Sequence, residues 1–287
     1  MNQAVTDDNF LTFITGGHCR FWSINPYHLC DIRCTYCITG VQGASRPVLP
    51  SVTQSLSRLA RALGDIPADQ PLIVGGISDA YPGTERELGL SRKILELLIR
   101  EGRTFCIITK SVIVERDLDL IENYSKARVE FSFSTLDDRI AASYELDAPP
   151  PSVRLQLLKR FAAAGVPVKV SLRPWIPGIS NLLEFLADVP AGIPIGLERL
   201  KIMRASQTIV LAGRTFTQQY VDASYLAERE RYRGCKRLKW SFDRRFSSAE
   251  QGPGQHPVDL ILSDNRQAVV RLRQLQEREM DGRGQTP

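Results

Sequence analysis

Six cysteines in 287 residues are too few to staple a chain of this length with disulfides. No apolar run approaches the ~20 residues that a membrane-crossing helix requires. Met1 to Phe10 (MNQAVTDDNF) is too polar for a secretory signal. These absences lead to the expectation of a cytoplasmic protein with reduced thiols and no membrane partner. Charge of one sign is also scarce, since 37 basic and 32 acidic residues leave a net charge of +5. Such a surface admits a phosphate-bearing or acidic partner without requiring nucleic acid. No internal repeat is apparent in the sequence.

Strand-length apolar runs alternate with helical patterns along most of the chain. Cys19 to Ile24 (CRFWSI) reads as a first strand, and Pro71 to Gly76 (PLIVGG) as a buried parallel strand ended by glycines. Glu85 to Arg100 is amphipathic, with Leu88, Ile94, Leu95, Leu98 and Ile99 at helical spacing. Further strands are expected at Thr104 to Thr109, Arg128 to Thr135, Val166 to Leu172 and Pro194 to Met203. Helices are expected at Glu115 to Asn123 and Pro151 to Ala164, the second starting on Pro and stopping at Gly165. This order gives about six βα units with right-handed crossovers, an α/β fold short of an eight-fold barrel. Beyond it, Arg229 to Phe246 is rich in basic residues interleaved with Tyr232, Trp240, Phe242 and Phe246. Gln251 to Pro257 reads as a linker, Leu260 to Met280 includes a charged helix pattern, and 281–287 forms a tail. The expected division is 1–212 for the barrel and 213–287 for an extension that closes it and contacts substrate.

The densest chemical signal is Cys30-Asp31-Ile32-Arg33-Cys34-Thr35-Tyr36-Cys37. Its C-x3-C-x2-C spacing gathers three thiolates, and nothing within the loop supplies a fourth. A structural zinc site closes with four ligands, here with His28 or Cys19 as the fourth. Iron–sulfur clusters are likewise usually held by four cysteines, so three would leave one iron open to another ligand. Ligand chemistry alone leaves both readings standing.

Neighbouring residues carry a resemblance that separates them. Asn25-Pro26-Tyr27 precedes the loop, and Ser78-Asp79-x-Tyr81-Pro82, Glu85-Arg86-Glu87 and Leu90-Ser91-Arg92 follow. Next come Thr109-Lys110-Ser111, Arg116 to Leu120, Ser132-x-Ser134-Thr135-Leu136-Asp137, then Glu145 with Pro149 to Ser152 and Arg154, and Pro174-x-Ile176-Pro177-Gly178. From Asn25 to about Met203 the chain resembles radical S-adenosylmethionine (radical SAM) proteins of the spore photoproduct lyase type. That resemblance implies a partial (β/α)6 barrel and a [4Fe–4S] cluster on Cys30, Cys34 and Cys37. It also implies reductive cleavage of SAM to a 5′-deoxyadenosyl radical, with a reductant such as flavodoxin or ferredoxin. His28 becomes a supporting or packing residue.

The SAM-site residues follow from the same resemblance, each beside a plainer reading. Gly75 and Gly76 end a strand where missing Cβ atoms allow a ligand amino group close approach, or they merely turn the chain. Ser78 and Asp79 offer acceptors to the methionyl ammonium, although Asp is also a common helix cap. Lys110 at a strand end suits the methionyl carboxylate, although a lone lysine is usually solvated. Ser132 and Ser134 share one strand face and suit SAM hydroxyl or carboxylate groups. Tyr36 covers the adenine or is a packed aromatic.

One departure from the lyase matters. Its hydrogen-donor cysteine stands in Cys-Thr-Ser-Asp, where this chain reads Gly76-Ile77-Ser78-Asp79. Cys235, flanked by Arg233, Lys236 and Arg237, is the replacement donor expected at the barrel mouth. Cys106 is expected as an inert buried thiol. The favoured substrate is a small polar metabolite or natural product, such as a sugar or aminocyclitol undergoing epimerisation. Nucleic acid is the second class, supported by the basic–aromatic stretch and opposed by the missing cysteine. A ribosomal peptide is the third, lowered because no peptide-binding appendage precedes the barrel and too few C-terminal cysteines remain for an auxiliary cluster.

Overall fold

The computed structural model describes residues 11–16, 19–27, 30–37, 52–202 and 208–240. Expectations for His28, the Cys19 side chain, Phe242, Phe246 and the segments 251–257, 260–280 and 281–287 lie outside the described residues. Strand β1 (Leu11–Gly16) pairs antiparallel with β2 (Cys19–Ile24). Helix α1 (Val52–Asp65) then leads to β3 (Leu72–Val74). Helices α2 (Glu85–Leu88) and α3 (Leu90–Arg100) precede β4 (Phe105–Thr109). A 3-10 turn over Val112–Asp117 and a short α4 (Leu118–Ile121) lead to β5 (Ala127–Phe133). Next come α5 (Asp138–Ala142), α6 (Pro151–Ala163), β6 (Val168–Trp175), α7 (Leu182–Asp188) and β7 (Ile195–Arg199). A hairpin of β8 (Thr208–Leu211) and β9 (Arg214–Thr217), then α8 (Gln218–Arg231) and β10 (Leu238–Trp240), complete the series.

The main sheet runs β1-β2-β3-β4-β5-β6-β7-β10, and seven of its strands, β2 to β7 and β10, are parallel. Strand order follows chain order without reversal. A doubly wound sheet reverses its order at a switch point; a sheet that does not reverse keeps its right-handed crossover helices on one face. Residues of that face, among them Leu72, Ile107, Phe131, Val170 and Leu197, share a buried core with Leu59, Leu95, Leu98 and Phe161 of the helices. The outcome is the expected partial barrel, open between β1 and β10 in its pairing.

Two expected helices differ. Glu85 to Arg100 is broken at Gly89, whose φ of +60° ends α2 and begins α3. The break turns Glu85 inward while Ile94, Leu95 and Leu98 still bury on one stripe. Glu115 to Asn123 instead divides into the 3-10 turn and α4, because Asp117 is drawn into a buried charge network rather than left on a helix surface.

A second, smaller core joins the cysteine loop to the closing elements. Ile32, Cys34 and Tyr36 pack with Ile176, Ile209 and Phe216. The β8–β9 hairpin therefore sits against the loop, and Arg214 donates to the Gly178 carbonyl at 2.9 Å.

At the opposite edge, Arg237 fastens β10. Its guanidinium donates to the carbonyls of Leu186 and Val189 at 2.8 Å and of Pro190 at 3.1 Å, while its own carbonyl accepts from Ile195 N at 2.8 Å. Arg237→Ala is expected to cost about 1–3 kcal/mol, the range for stranding partly buried polar groups. Native-state hydrogen exchange should show the Ile195 and Leu238 amides losing protection before those of β5.

Candidate active site

In a parallel sheet, loops after each strand share the carboxyl-terminal edge, where ligands bind in such folds. The cysteine loop follows β2, Gly75 to Asp79 follow β3, Lys110 follows β4, and Ser134 follows β5. The structure thus brings every expected cluster and SAM residue to one edge.

The loop itself is stitched to the segment after α5. Cys34 forms an antiparallel bridge with Glu145, Thr35 N donates to Tyr144 O at 2.8 Å, and Asp147 N donates to Ile32 O at 3.1 Å. Arg33, at φ +50°, is ion-paired with Asp147. Beneath the loop lies Glu145. Its carboxylate accepts from the Tyr36 hydroxyl, from Ser134 Oγ at 2.7 Å and from Arg154 Nη2 at 2.6 Å. Glu145 and Arg154 side chains are each 1% exposed. Burial raises the carboxyl, but Arg154, Lys110 and the two hydroxyl donors outweigh it and hold Glu145 below its ordinary range. Glu145 and Arg154 were legible only as landmarks; their role as the loop's foundation is set by contacts distant in sequence.

Cys34 is buried, while Cys30 and Cys37 are partly exposed. Burial, with the Asp79 charge nearby, pushes the Cys30 thiol up to about 12. Burial also raises Cys34, against the pull of Lys110. Among the described residues no three Cys, His, Asp or Glu side chains converge on a point suited to one metal ion. A four-iron cluster takes each thiolate on a separate iron, so convergence is not required. The donor set fits such a cluster: three thiols on one pinned loop, with desolvation that metal coordination offsets by deprotonating them.

Beside the loop, Gly75 (φ +86°) places its backbone where a Cβ would lie 2.7 Å from Ile108 O. At Gly76 a Cβ would collide with Ser23 Oγ. Ser23 is held there by Asn25 Oδ1 at 3.0 Å, which also accepts from Ile77 N at 3.0 Å. The Asp79 carboxylate brackets two strand ends, accepting from Tyr81 N (2.9 Å), Thr109 Oγ1 (2.6 Å) and Lys110 N (2.7 Å). Three donors leave one of its roughly four acceptor positions open. Ser78 Oγ donates to Tyr27 O. Lys110 Nζ lies 5.7 Å from the Tyr36 ring centroid, and that ring is anchored by its hydroxyl on Glu145 and packs on Tyr144. The Ser132 carbonyl accepts from Arg154 Nη1 at 2.6 Å, and Ser134 is wholly buried in the Glu145 network.

One thiol lies elsewhere than expected. Cys235 precedes β10, and Leu238 of β10 pairs with Ile195, the first residue of β7. Cys235 therefore stands at the amino-terminal edge, across the length of the sheet from the cysteine loop. The hydrogen-donor role at the barrel mouth is corrected on this ground. Cys106 alternates with Phe105 and Ile107, which face the helices, so it points to the other face of the sheet. Burial, then Glu130, push its thiol well up, which keeps it protonated. A cavity of about 500 Å³ bordered by Arg128, Lys169 and Pro194 also lies at the amino-terminal edge, away from the cluster loop.

Arg154→Met would leave the Glu145 carboxylate buried and uncompensated, with an expected loss of about 3–5 kcal/mol. Urea unfolding measures it, and iron content after anaerobic reconstitution should fall in parallel because the loop loses its footing. Gly76→Ala is expected to cost about 1–3 kcal/mol through overpacking against Ser23. A double-mutant cycle with Ser23→Gly should recover most of that loss.

Similarity to known proteins agrees with this geometry. Residues 24–184 match the family model of the radical SAM superfamily. An uncharacterized protein of Acidianus two-tailed virus is 40% identical over 88 residues, covering 30% of this chain and 29% of the relative. One from Methanocaldococcus jannaschii is 25% identical over 173 residues, covering 58% and 64%. The chain thus spans less than two thirds of the length of these curated relatives. Among solved structures, SuiB of Streptococcus suis bound to S-adenosylmethionine superposes with a TM-score of 0.56 at 11% identity, covering 83% of this chain and 53% of that one. Spore photoproduct lyase complexed with dinucleoside spore photoproduct gives 0.58 at 14% identity, covering 82% and 80%. At these identities the structures share the fold. With more than half its length matched and three cysteines at the carboxyl-terminal edge of a partial barrel, the chain belongs to the radical SAM superfamily.

Proposed function

We propose that this radical SAM enzyme takes a hydrogen atom from an unactivated C–H bond of a small polar metabolite or natural product. The observation that carries the site assignment is the meeting of the cysteine loop, the bare Gly75–Gly76 backbone and the Lys110 cation at one sheet edge. A [4Fe–4S] cluster held by the three cysteines would supply the electron for reductive cleavage of SAM to methionine and a 5′-deoxyadenosyl radical. The chain's own residues bind and orient. Cys30, Cys34 and Cys37 hold the cluster. Gly75, Gly76, Ser78 and the remaining acceptor position of Asp79 receive the methionyl ammonium, and Lys110 the carboxylate. Tyr36 borders the adenine and Ser132 the ribose, while Ser134, wholly buried on Glu145, supports the loop and not the ligand. A flavodoxin or ferredoxin delivers the electron.

The packing of β8 and β9 against the loop core supports a closing role for the C-terminal part, with the division drawn near Gly213 in the hairpin turn. Among the described residues no helix is long and apolar enough to cross a membrane.

A nucleic-acid substrate, the second reading, draws on the basic–aromatic stretch. Much of that stretch is already engaged. Trp240 packs edge-on against Tyr225 at 5.2 Å, Arg237 is bound to backbone carbonyls, and Arg233 pairs with Glu230. Trp240 and Arg237 are thereby withdrawn from bases and phosphates, which counts toward the small molecule.

After anaerobic reconstitution and reduction, the protein should convert SAM to 5′-deoxyadenosine and methionine. Cys34→Ala should abolish both cluster assembly and cleavage. Lys110→Ala should weaken SAM binding on the order of 10–100-fold, the cost of losing a hydrogen bond to a charged group. Cys235→Ala should leave 5′-deoxyadenosine formation unchanged. One bound zinc without iron–sulfur absorbance would sink the reading, and a steeply salt-dependent DNA affinity would move the substrate class to nucleic acid.

A further inference from the structure

The face of the sheet turned away from the helices is polar where it is most enclosed. Along β5, Val129, Phe131 and Phe133 face the helical core, so Glu130 and Ser132 face the barrel lumen. Along β6, Val168, Val170 and Leu172 face the core, so Lys169 and Ser171 face the lumen. The register sets Glu130 beside Lys169, Ser132 beside Ser171, and Ser171 beside Gly196 of β7. Two neighbouring strands thus present carboxylate, ammonium and hydroxyl groups on the lumen face, beside a bare glycine on the third.

Two of those groups are unsatisfied. Lys169 Nζ pairs with Glu130 Oε1 at 2.8 Å and the Cys106 thiol faces the same carboxylate, yet Glu130 Oε2 is buried without a hydrogen bond of ordinary geometry among the described residues. Ser171 Oγ is in the same condition, with Ser171 at 0% exposure and Glu130 at 8%. A buried polar atom without a partner costs on the order of 1–3 kcal/mol, and such atoms are few in folded proteins. Two of them on adjacent strands, facing the same way, indicate a shared missing partner. Gly196 keeps the neighbouring position free of a side chain of its own, occupied only by the movable end of Lys169. Above them at the mouth, Glu198 holds Arg173 at 3.3 Å and also Lys201, so the passage from the carboxyl-terminal edge is polar as well.

We propose that this β5–β7 wall is the substrate subsite, and that it binds a hydroxyl-rich small molecule of the sugar or cyclitol class. One ligand hydroxyl donates to Glu130 Oε2. A second exchanges a hydrogen bond with Ser171 Oγ, which can donate or accept. An apolar ligand would leave both atoms unpaired. The assignment rests on the radical SAM reading above, which puts the SAM half of the site on β3 to β5 and leaves β5 to β7 to the substrate.

The test uses the full-length, cluster-reconstituted protein with SAM present, and isotopically labelled myo-inositol and glucosamine as probes in equilibrium dialysis. Wild type should bind at least one of them. Ser171→Ala should weaken that binding about tenfold, which is 1.4 kcal/mol, and Glu130→Gln should weaken it also. SAM affinity should stay unchanged in both variants. Ser171→Ala should unfold at a urea concentration equal to or above that of wild type, since it removes a buried hydroxyl that has no protein partner. Binding of neither probe would overturn the proposal. A lower unfolding midpoint for Ser171→Ala would do so too, because the hydroxyl would then be satisfied structurally by ordered water. An equal fall in SAM affinity would assign the wall to the SAM site instead. If the probes bind as expected but wild type makes no 5′-deoxyadenosine, the radical reading fails and the subsite stands.

Discussion

The carboxylate of Glu145 is the point on which the reactive edge depends. It lies under the cysteine loop and is touched from three directions, by Tyr36 within the loop, Ser134 at the end of β5 and Arg154 on α6. Each contact fixes a different element, so one side chain sets the distance between loop, strand and helix. A buried ion pair is weak grounds for stability, because desolvation opposes the Coulomb gain. Its value here is positional. Arg154 also binds the Ser132 carbonyl and lies 5.2 Å from the Phe133 ring centroid, so the pair grips the strand at the level where the loop is seated.

A second buried carboxylate does the same for the start of the loop. Glu85 accepts from the Tyr27 hydroxyl and from Ser91 N at 2.9 Å, and is ion-paired with Arg116. Arg116 passes the connection to Asp117, which is buried and also accepts from Tyr81 at 3.1 Å and Arg92 at 3.2 Å. Both tyrosine hydroxyls are held protonated, with burial the larger cause and the neighbouring carboxylates adding to it. Tyr27 ahead of the cysteines and Tyr36 among them therefore both end on buried charge.

Several strands were legible from short apolar runs, and β2, β4 and β5 fall within a residue or two of their expected bounds, whereas the hairpin strands β1, β8 and β9 were not expected. The gathering of the cysteine loop, Gly75 to Asp79, Lys110 and Ser134 at one edge was legible because loops after parallel strands must share an edge, whatever the helices between them do. The break at Gly89 was hidden because hydrophobic periodicity continues across it and only the backbone angle changes. The position of Cys235 was hidden for a different reason. Its basic neighbours suggested a reactive setting, but its location is decided by β10 pairing with β7, a contact of three strand residues that carries almost no periodic signal. Motif residues such as Glu85, Arg92 and Asp117 were visible as a pattern, yet their common network is non-local and could not be read from spacing.

The Ser23–Gly76 contact has a bearing on how a reaction at this edge could end. In the lyase-type sequence the position of Gly76 carries the donor thiol, whereas here a Cβ alone would meet Ser23 Oγ. The serine is not free to withdraw, because Asn25 holds it while also receiving the Ile77 amide. Substituting one residue therefore does not restore that thiol, because Ser23 of the neighbouring strand fills the space a Cβ would need. Among the described thiols outside the cluster loop, Cys235 faces the wrong edge and only Cys106 shares the lumen. Its distance below the edge is set by the length of β4, about three residues beneath Thr109, or roughly 10 Å at strand rise. A ligand standing between the carboxyl-terminal edge and that thiol would have to span the level of Glu130 and Ser171, so the polar wall and the depth of the lumen impose the same constraint on what the site can hold.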